Sequence, residues 1–176
     1  LLNADTEVCN HWLDKLYAAA YRHPQTGTVT PLSNNATICS YPCFLTDNPY
    51  PLELGYEQLD VLAASVNHAV EVEAPTGVGF CLYIRRDCLN AVGLFDADSF
   101  GQGYGEENDF CQRAITQNWR NIITADTFVR HWGNASFQGE KPERVAAALK
   151  ILTNLHPSYQ SQINNFIKQD PLAESR

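Results

Sequence analysis

A chain of 176 residues with 44 % hydrophobic and 18 % charged residues has an ordinary globular balance and can enclose a sizeable core, as one domain or the larger part of one. Its formal net charge of −8 argues against nucleic acid or an anionic membrane surface as the main partner, because both need basic patches. No run of apolar residues is long enough to span a bilayer.

The chain opens on Leu1 and Leu2, which read as the tail of a buried strand, followed by Asn3-Ala4-Asp5-Thr6 where such a strand leaves its sheet. Trp12, Leu13, Leu16, Tyr17 and Ala20 give a helical apolar face that ends before His23-Pro24. Thr28 to Thr30 is a short β-prone run closed by Pro31, and residues 31 to 51 form a long Ser-, Asn- and Pro-rich loop whose aromatics favour a functional role. Helical spacing returns from Tyr56 to Ala69, then Val70 to Glu73 alternates as a strand does. Gly77-Val78-Gly79 leads into Phe80 to Ile84, which predicts a buried strand. The run Gly101 to Ala114 is a glycine-tyrosine loop entering a helix that should continue to Trp119, with Asp109 and Arg113 spaced as an i,i+4 pair. Phe128 to His131 is strand-like and ends in a small polar loop through Ser136. Pro142 and Pro157 then open two helices, the second stopped by Asp170-Pro171, and neither offers chemistry.

Three places carry candidate chemistry. Glu106, Glu107 and Asp109 sit where a helix macrodipole favours negative charge, so their carboxylates should stay ionised near neutral pH and suit a general base or metal ligation. The plain alternative is an acidic helix N-terminus, and for Asp109 the pair with Arg113. Asn3 and Asp5 stand where ligands of α/β sheets collect, at a strand's carboxyl end, which suits a divalent cation or a sugar hydroxyl. Gly77 and Gly79 either let the backbone lie close to a sugar ring or make a tight turn into a strand. His131 reads alone as a packed or surface histidine. The six cysteines show no zinc-type spacing and are expected as reduced thiols in a cytosolic protein, while Asn35-Ala-Thr37 and Asn134-Ala-Ser136 are formal glycosylation acceptors.

In this order the elements resemble the inverting family 2 glycosyltransferases. LLNADT resembles their D-x-D type motif, with Asn3 in place of the first aspartate and Asp5 matching the last acid. Thr76 to Asp96, TGVGFCLYIRRDCLNAVGLFD, is similar to their TGxGFxxxRRxxLxxVGxFD segment and is the closest match in the chain. Their E-D-x-D motif falls on Glu106-Glu107-Asn108-Asp109, with Glu107 at the base position where Asp is usual and Asp109 as its rival. His131 sits where the family often has a histidine near the metal, and Ser33-Asn34-Asn35-Ala36 is similar to a segment of the rhamnosyltransferase-like branch.

The resemblance implies an α/β fold of GT-A type, a mixed sheet flanked by helices. It implies a nucleotide-sugar donor, a saccharide or other hydroxyl acceptor, and a divalent cation, Mn²⁺ or Mg²⁺. Donor contacts are expected from Asn3, Asp5, Gly77, Gly79 and Glu106, metal ligation from Asp5 and His131, and catalysis from Glu107 or Asp109. Residues 1–140 would form the acceptor and metal side of the domain, and 141–176 a helical extension that packs on it or leads into a further domain. The family's nucleotide-binding half is not in this sequence. The chain is therefore expected to be a fragment of a longer protein, inactive alone and self-associating through the edge around Leu1 to Asn3. The expected location is the cytoplasm, including the inner face of the membrane. Two other functions fit the same residues: a non-catalytic carbohydrate- or nucleotide-binding module, and a metal-dependent phosphate-ester hydrolase.

Overall fold

A computed structural model describes residues 1–101, 104–133 and 141–176, and within them the chain is mixed α/β. Gly103 and the second glycosylation acceptor, Asn134 to Ser136, lie outside the described residues. The main sheet has the order β3–β5–β2–β4, formed by β2 (Thr26–Leu32), β3 (Glu71–Ala74), β4 (Tyr83–Ile84) and β5 (Arg120–Phe128). Its central pair, β2 and β5, is parallel, while β3 and β4 run antiparallel to their neighbours. All seven residues of β2 and eight of nine in β5 are buried, as befits strands covered on both faces. A two-stranded ribbon pairs β1 (Thr6–Glu7) with β6 (Arg130–His131).

The helices are α1 (Trp12–Arg22), α2 (Tyr56–Val66), α3 (Arg86–Val92), α4 (Ala97–Phe100), α5 (Glu106–Thr116), α6 (Lys141–Leu155) and α7 (Tyr159–Gln169). Leu16, Ala19 and Ala20 of α1 and Leu59 of α2 enter one core cluster with Val29, Ile122, Ile123 and Phe128. A smaller cluster joins Cys88 and Val92 of α3 to Phe110 and Ala114 of α5. Both C-terminal helices pack on the body. Phe166 of α7 and the following Leu172 belong to the main core, and Asn67 donates to the Ser175 carbonyl at 2.9 Å.

Several expected boundaries shift. β2 runs through Pro31 to Leu32, because the register slips between these two residues and an irregularity tolerates a residue without an N–H. Leu1 and Leu2 are exposed, 61 % and 44 %, and pair only through an isolated bridge from Leu2 to Cys81. They are therefore not the tail of a buried strand. The segment expected as one strand, Phe80 to Ile84, is buried at Phe80, Cys81 and Leu82 but divides its bonds. It meets residues 1–3 first and β2 afterwards. Helix α2 stops three residues early at Asn67, whose backbone N–H caps the Ala63 carbonyl. Helix α5 ends at Thr116 rather than Trp119, closed by Gln117.

Most of the Thr76–Asp96 segment is accounted for by packing. The Arg85 guanidinium donates to the carbonyls of Ala20, His23 and Pro24 at the end of α1, and lies over the Tyr21 and Trp119 rings. Gly93, at φ +91°, closes α3, and Asp96 caps α4 by accepting from the Ser99 N–H at 3.0 Å. All six cysteines are free thiols. Among the described residues no helix is long and apolar enough to cross a membrane.

Candidate functional site

The parallel strands β2 and β5 both leave the sheet at the same end, and the residues just beyond them are polar. After Leu32 come Ser33, Asn34 and Asn35; beyond Phe128 and Val129 come Arg130, His131 and Trp132. Asn34 ties the two exits together. Its Oδ1 accepts from the His131 N–H at 2.9 Å and its Nδ2 donates to the His131 carbonyl at 3.0 Å. This is the end of a parallel pair at which α/β folds place ligands.

The β1–β6 ribbon sets Asp5 beside His131. Thr6 pairs with His131, Glu7 with Arg130, and the Trp132 N–H donates to the Asp5 carbonyl at 2.9 Å. Asp5 Oδ1 lies 3.5 Å from His131 Nε2, with both side chains largely buried. The His131 Nδ1 is 2.6 Å from the Asn35 carbonyl, which can only accept, so Nδ1 carries a proton and Nε2 faces Asp5. A backbone carbonyl fixing the ring in this way is the usual support of a histidine ligand. Two atoms bound to one cation at about 2.1 Å stand about 3–3.5 Å apart, so this pair fits as two ligands of a metal ion. Among the described residues no group of three or more His, Cys, Asp or Glu side chains gathers, so the remaining positions would fall to ligand or water oxygens.

The segment entered from Gly77 links this pair to the acidic helix. The Phe80 ring stacks on the His131 ring with centroids 5.3 Å apart, and the Phe80 carbonyl accepts from the Asn3 N–H at 2.8 Å. One residue earlier, a Cβ built on Gly79 would meet the Glu107 carboxyl carbon at 3.5 Å. Asn3, His131 and Glu107 therefore meet the short stretch Gly79–Phe80, with Asp5 on the far side of His131. Gly77 does something else. It is buried, and a Cβ there would meet Leu82 Cδ1 at 2.4 Å and Thr30 Oγ1 at 2.9 Å, while its N–H donates to Cys111 Sγ. Its small size serves packing.

The three acids of α5 have different surroundings. Asp109 is 3 % exposed and accepts from Arg113 Nε at 2.8 Å and His156 Nε2 at 2.7 Å. Arg113 then reaches the carbonyls of Val92 and Leu94, so Asp109 fastens α3, α5 and the turn after α6. Glu106 is half-buried, and its Oε2 has no hydrogen-bond partner among the described residues. Glu107 is partly buried, and burial pushes its carboxyl up from 4.5 to about 7. The Glu106 charge adds to the rise, while the Glu107 and Gly105 backbone amides oppose it. The expectation that these carboxylates all stay ionised near neutral pH thus fails at Glu107, where desolvation outweighs the helix terminus. Tyr159 of α7 is buried close enough to feel Glu107, whose charge, after burial, helps keep the phenol protonated.

His156 and Tyr159 are the site residues that sequence reasoning passed over. They come from the helices expected to hold no chemistry, and their only signal was polar or aromatic character at a helix junction. No protein-family model and no curated protein matches the chain.

Proposed function

We propose that the chain is the metal- and acceptor-side part of an inverting glycosyltransferase of GT-A-like fold, moving a sugar from a nucleotide-sugar donor to an acceptor hydroxyl. The observation that supports it best is Glu107, a desolvated carboxyl titrating near 7 and set against Gly79, beside the Phe80–His131–Asp5 array. A base poised near the working pH is what proton removal from an alcohol needs. In this reading ionised Glu107 accepts the proton of the acceptor hydroxyl while that oxygen bonds to the anomeric carbon from the face opposite the leaving group. The bond from that carbon to the diphosphate oxygen breaks, and its electron pair departs with the diphosphate. Asp5 and His131 would hold the divalent cation, which when bound supplies charge neutralisation for the diphosphate. Asp109 positions the helix rather than reacting, since both its oxygens are engaged.

The test is transfer by the full-length protein with a panel of nucleotide-sugars, scored by glycosylated product and by free nucleoside diphosphate. Glu107→Gln should lower turnover by roughly 10²–10⁴-fold with donor binding retained. Loss of turnover in a folded Asp109→Asn protein with Glu107→Gln still active would move the base to Asp109. Phosphate release without sugar transfer would favour a hydrolase, and donor binding without turnover a binding module.

A further inference from the structure

Beside His131 lies an open cleft of about 350 Å³, walled by Asn34, Asn48, Tyr50 and Trp132 with Asn35 and Asp47 at its polar edges. Its walls are held rigidly. Asn34 and Asn48 exhaust their amides on backbone groups: Asn48 Nδ2 alone donates to the carbonyls of Asn34, Cys43 and Thr46, and its Oδ1 accepts from the Cys43 N–H. The Arg130 guanidinium is sandwiched between the Tyr50 and Trp132 rings, 3.7 Å from each centroid, and ion-paired to Glu7 at 2.8 Å. That arginine also lines the cleft, held between the two rings with its charge paired to Glu7.

What the cleft offers a ligand is therefore limited. Trp132 is 54 % exposed although Arg130 lies over one of its faces, so much of the ring is open to a ligand. No hydrogen bond among the described residues engages the Asp47 carboxylate or the Asn35 side-chain amide, and the amide lies against Gly133, where a Cβ would meet its Nδ2 at 1.7 Å. An exposed carboxylate with the nearby cation already spent repels a phosphate or nucleotide. An aromatic plane flanked by a carboxylate and an amide matches a neutral pyranose, whose C–H face lies on the ring while its hydroxyls donate to Asp47 and exchange hydrogen bonds with Asn35.

We propose that this cleft is a saccharide subsite that holds a sugar of the glycosyl acceptor away from the reacting hydroxyl, with Trp132 as platform and Asp47 and Asn35 as polar contacts. The assignment to the acceptor rests on the glycosyl-transfer reading. The cleft adjoins His131, which on its other contacts meets Phe80 and, through Gly79, the Glu107 carboxyl, so a saccharide reaching the base would extend past His131 into it.

The test measures binding without turnover. Methyl pyranosides of glucose, galactose, mannose, rhamnose and N-acetylglucosamine, with maltose, cellobiose and lactose, are titrated by saturation-transfer NMR and tryptophan fluorescence, and UDP serves as the anionic control. At least one neutral sugar should bind. Trp132→Ala should weaken it about tenfold, the size of an aromatic contact, and Trp132→Phe should restore part of it. Asp47→Ala, an exposed change that breaks no hydrogen bond among the described residues, should weaken it several-fold, and UDP affinity should stay unchanged in all three variants. Sugar binding with this pattern supports the subsite even in a protein that transfers nothing. No sugar bound at tens of millimolar, binding indifferent to Trp132 and Asp47, or competition by UDP for the same site each overturns it, and transfer insensitive to Trp132 overturns it while leaving the transferase reading standing.

Discussion

Replacing Glu107 with Gln should stabilise the fold at neutral and alkaline pH while removing the proposed base. The carboxyl titrates near 7 in the folded chain against 4.5 for a free glutamate. Between those values the native state holds a proton that the unfolded state has lost. Stability contributed by this group therefore falls as pH rises from about 4.5 to about 7 and levels off above. At about 1.4 kcal/mol for each tenfold difference in proton affinity, the ionised group costs at most about 3 kcal/mol at pH 8. Gln is nearly isosteric with the protonated acid and carries no charge, so the substitution removes that cost at pH 8 and changes little at pH 4, where both states of the wild type are mostly protonated. Urea denaturation of wild type and Glu107→Gln at pH 4, 6 and 8 isolates the effect, because every other titrating group is common to both chains. A growing advantage for the variant across that range is the expected result. Equal stability at pH 4 and 8, or a variant weaker at pH 8, would mean that the carboxyl is well solvated and unsuited to the proposed proton transfer.

Turnover in the full-length protein should itself rise through about pH 7, since the base works only when ionised; a flat profile from pH 5 to 9 would contradict this. Asp109→Ala strips partners from Arg113 and His156 in a buried setting and should cost about 3 kcal/mol in urea denaturation, far more than an exposed ion pair would. Gly77→Ala should cost roughly 1–3 kcal/mol by overpacking against Leu82 and Thr30. Gly79→Ala fits without a clash and should instead raise the Glu107 carboxyl further by displacing water, read as an alkaline shift of its titration by NMR. Asp5→Ala should weaken Mn²⁺ binding to this chain more than tenfold by electron paramagnetic resonance, with His131→Ala doing the same; undiminished binding in both would place the ion elsewhere.

Local rules made the helices legible. The face of α1 and its stop before His23-Pro24, the openings of α6 and α7 near prolines, and the Asp109–Arg113 pair all depend on residues within a turn or two of each other. The strands were read less well. Which neighbour a strand residue bonds is decided by distant chain, so Phe80 to Ile84 divides its ladder between residues 1–3 and β2 with nothing in its own composition to announce it. The same limit applied to the site. Asp5 stood out as a candidate ligand by its place and His131 only through the family resemblance, but their meeting depends on the β1–β6 ribbon, and Gly77 and Gly79 look alike in sequence although one is filled by Leu82 and the other faces Glu107.

The largest departure, at Glu107, shows how burial can reverse an electrostatic rule that is correct locally. Placement in the first turn of α5 lowers a carboxyl, and the Glu107 and Gly105 amides do act in that direction. Withdrawal from water acts against them and is stronger. Tyr159 of α7 is close enough for the Glu107 charge to raise its phenol, and α7 lies beyond a turn that Asp109 fastens through His156. The C-terminal helices thus connect to the acidic motif in two ways, by the His156 bond that anchors the helix carrying it and by the charge interaction between Glu107 and Tyr159.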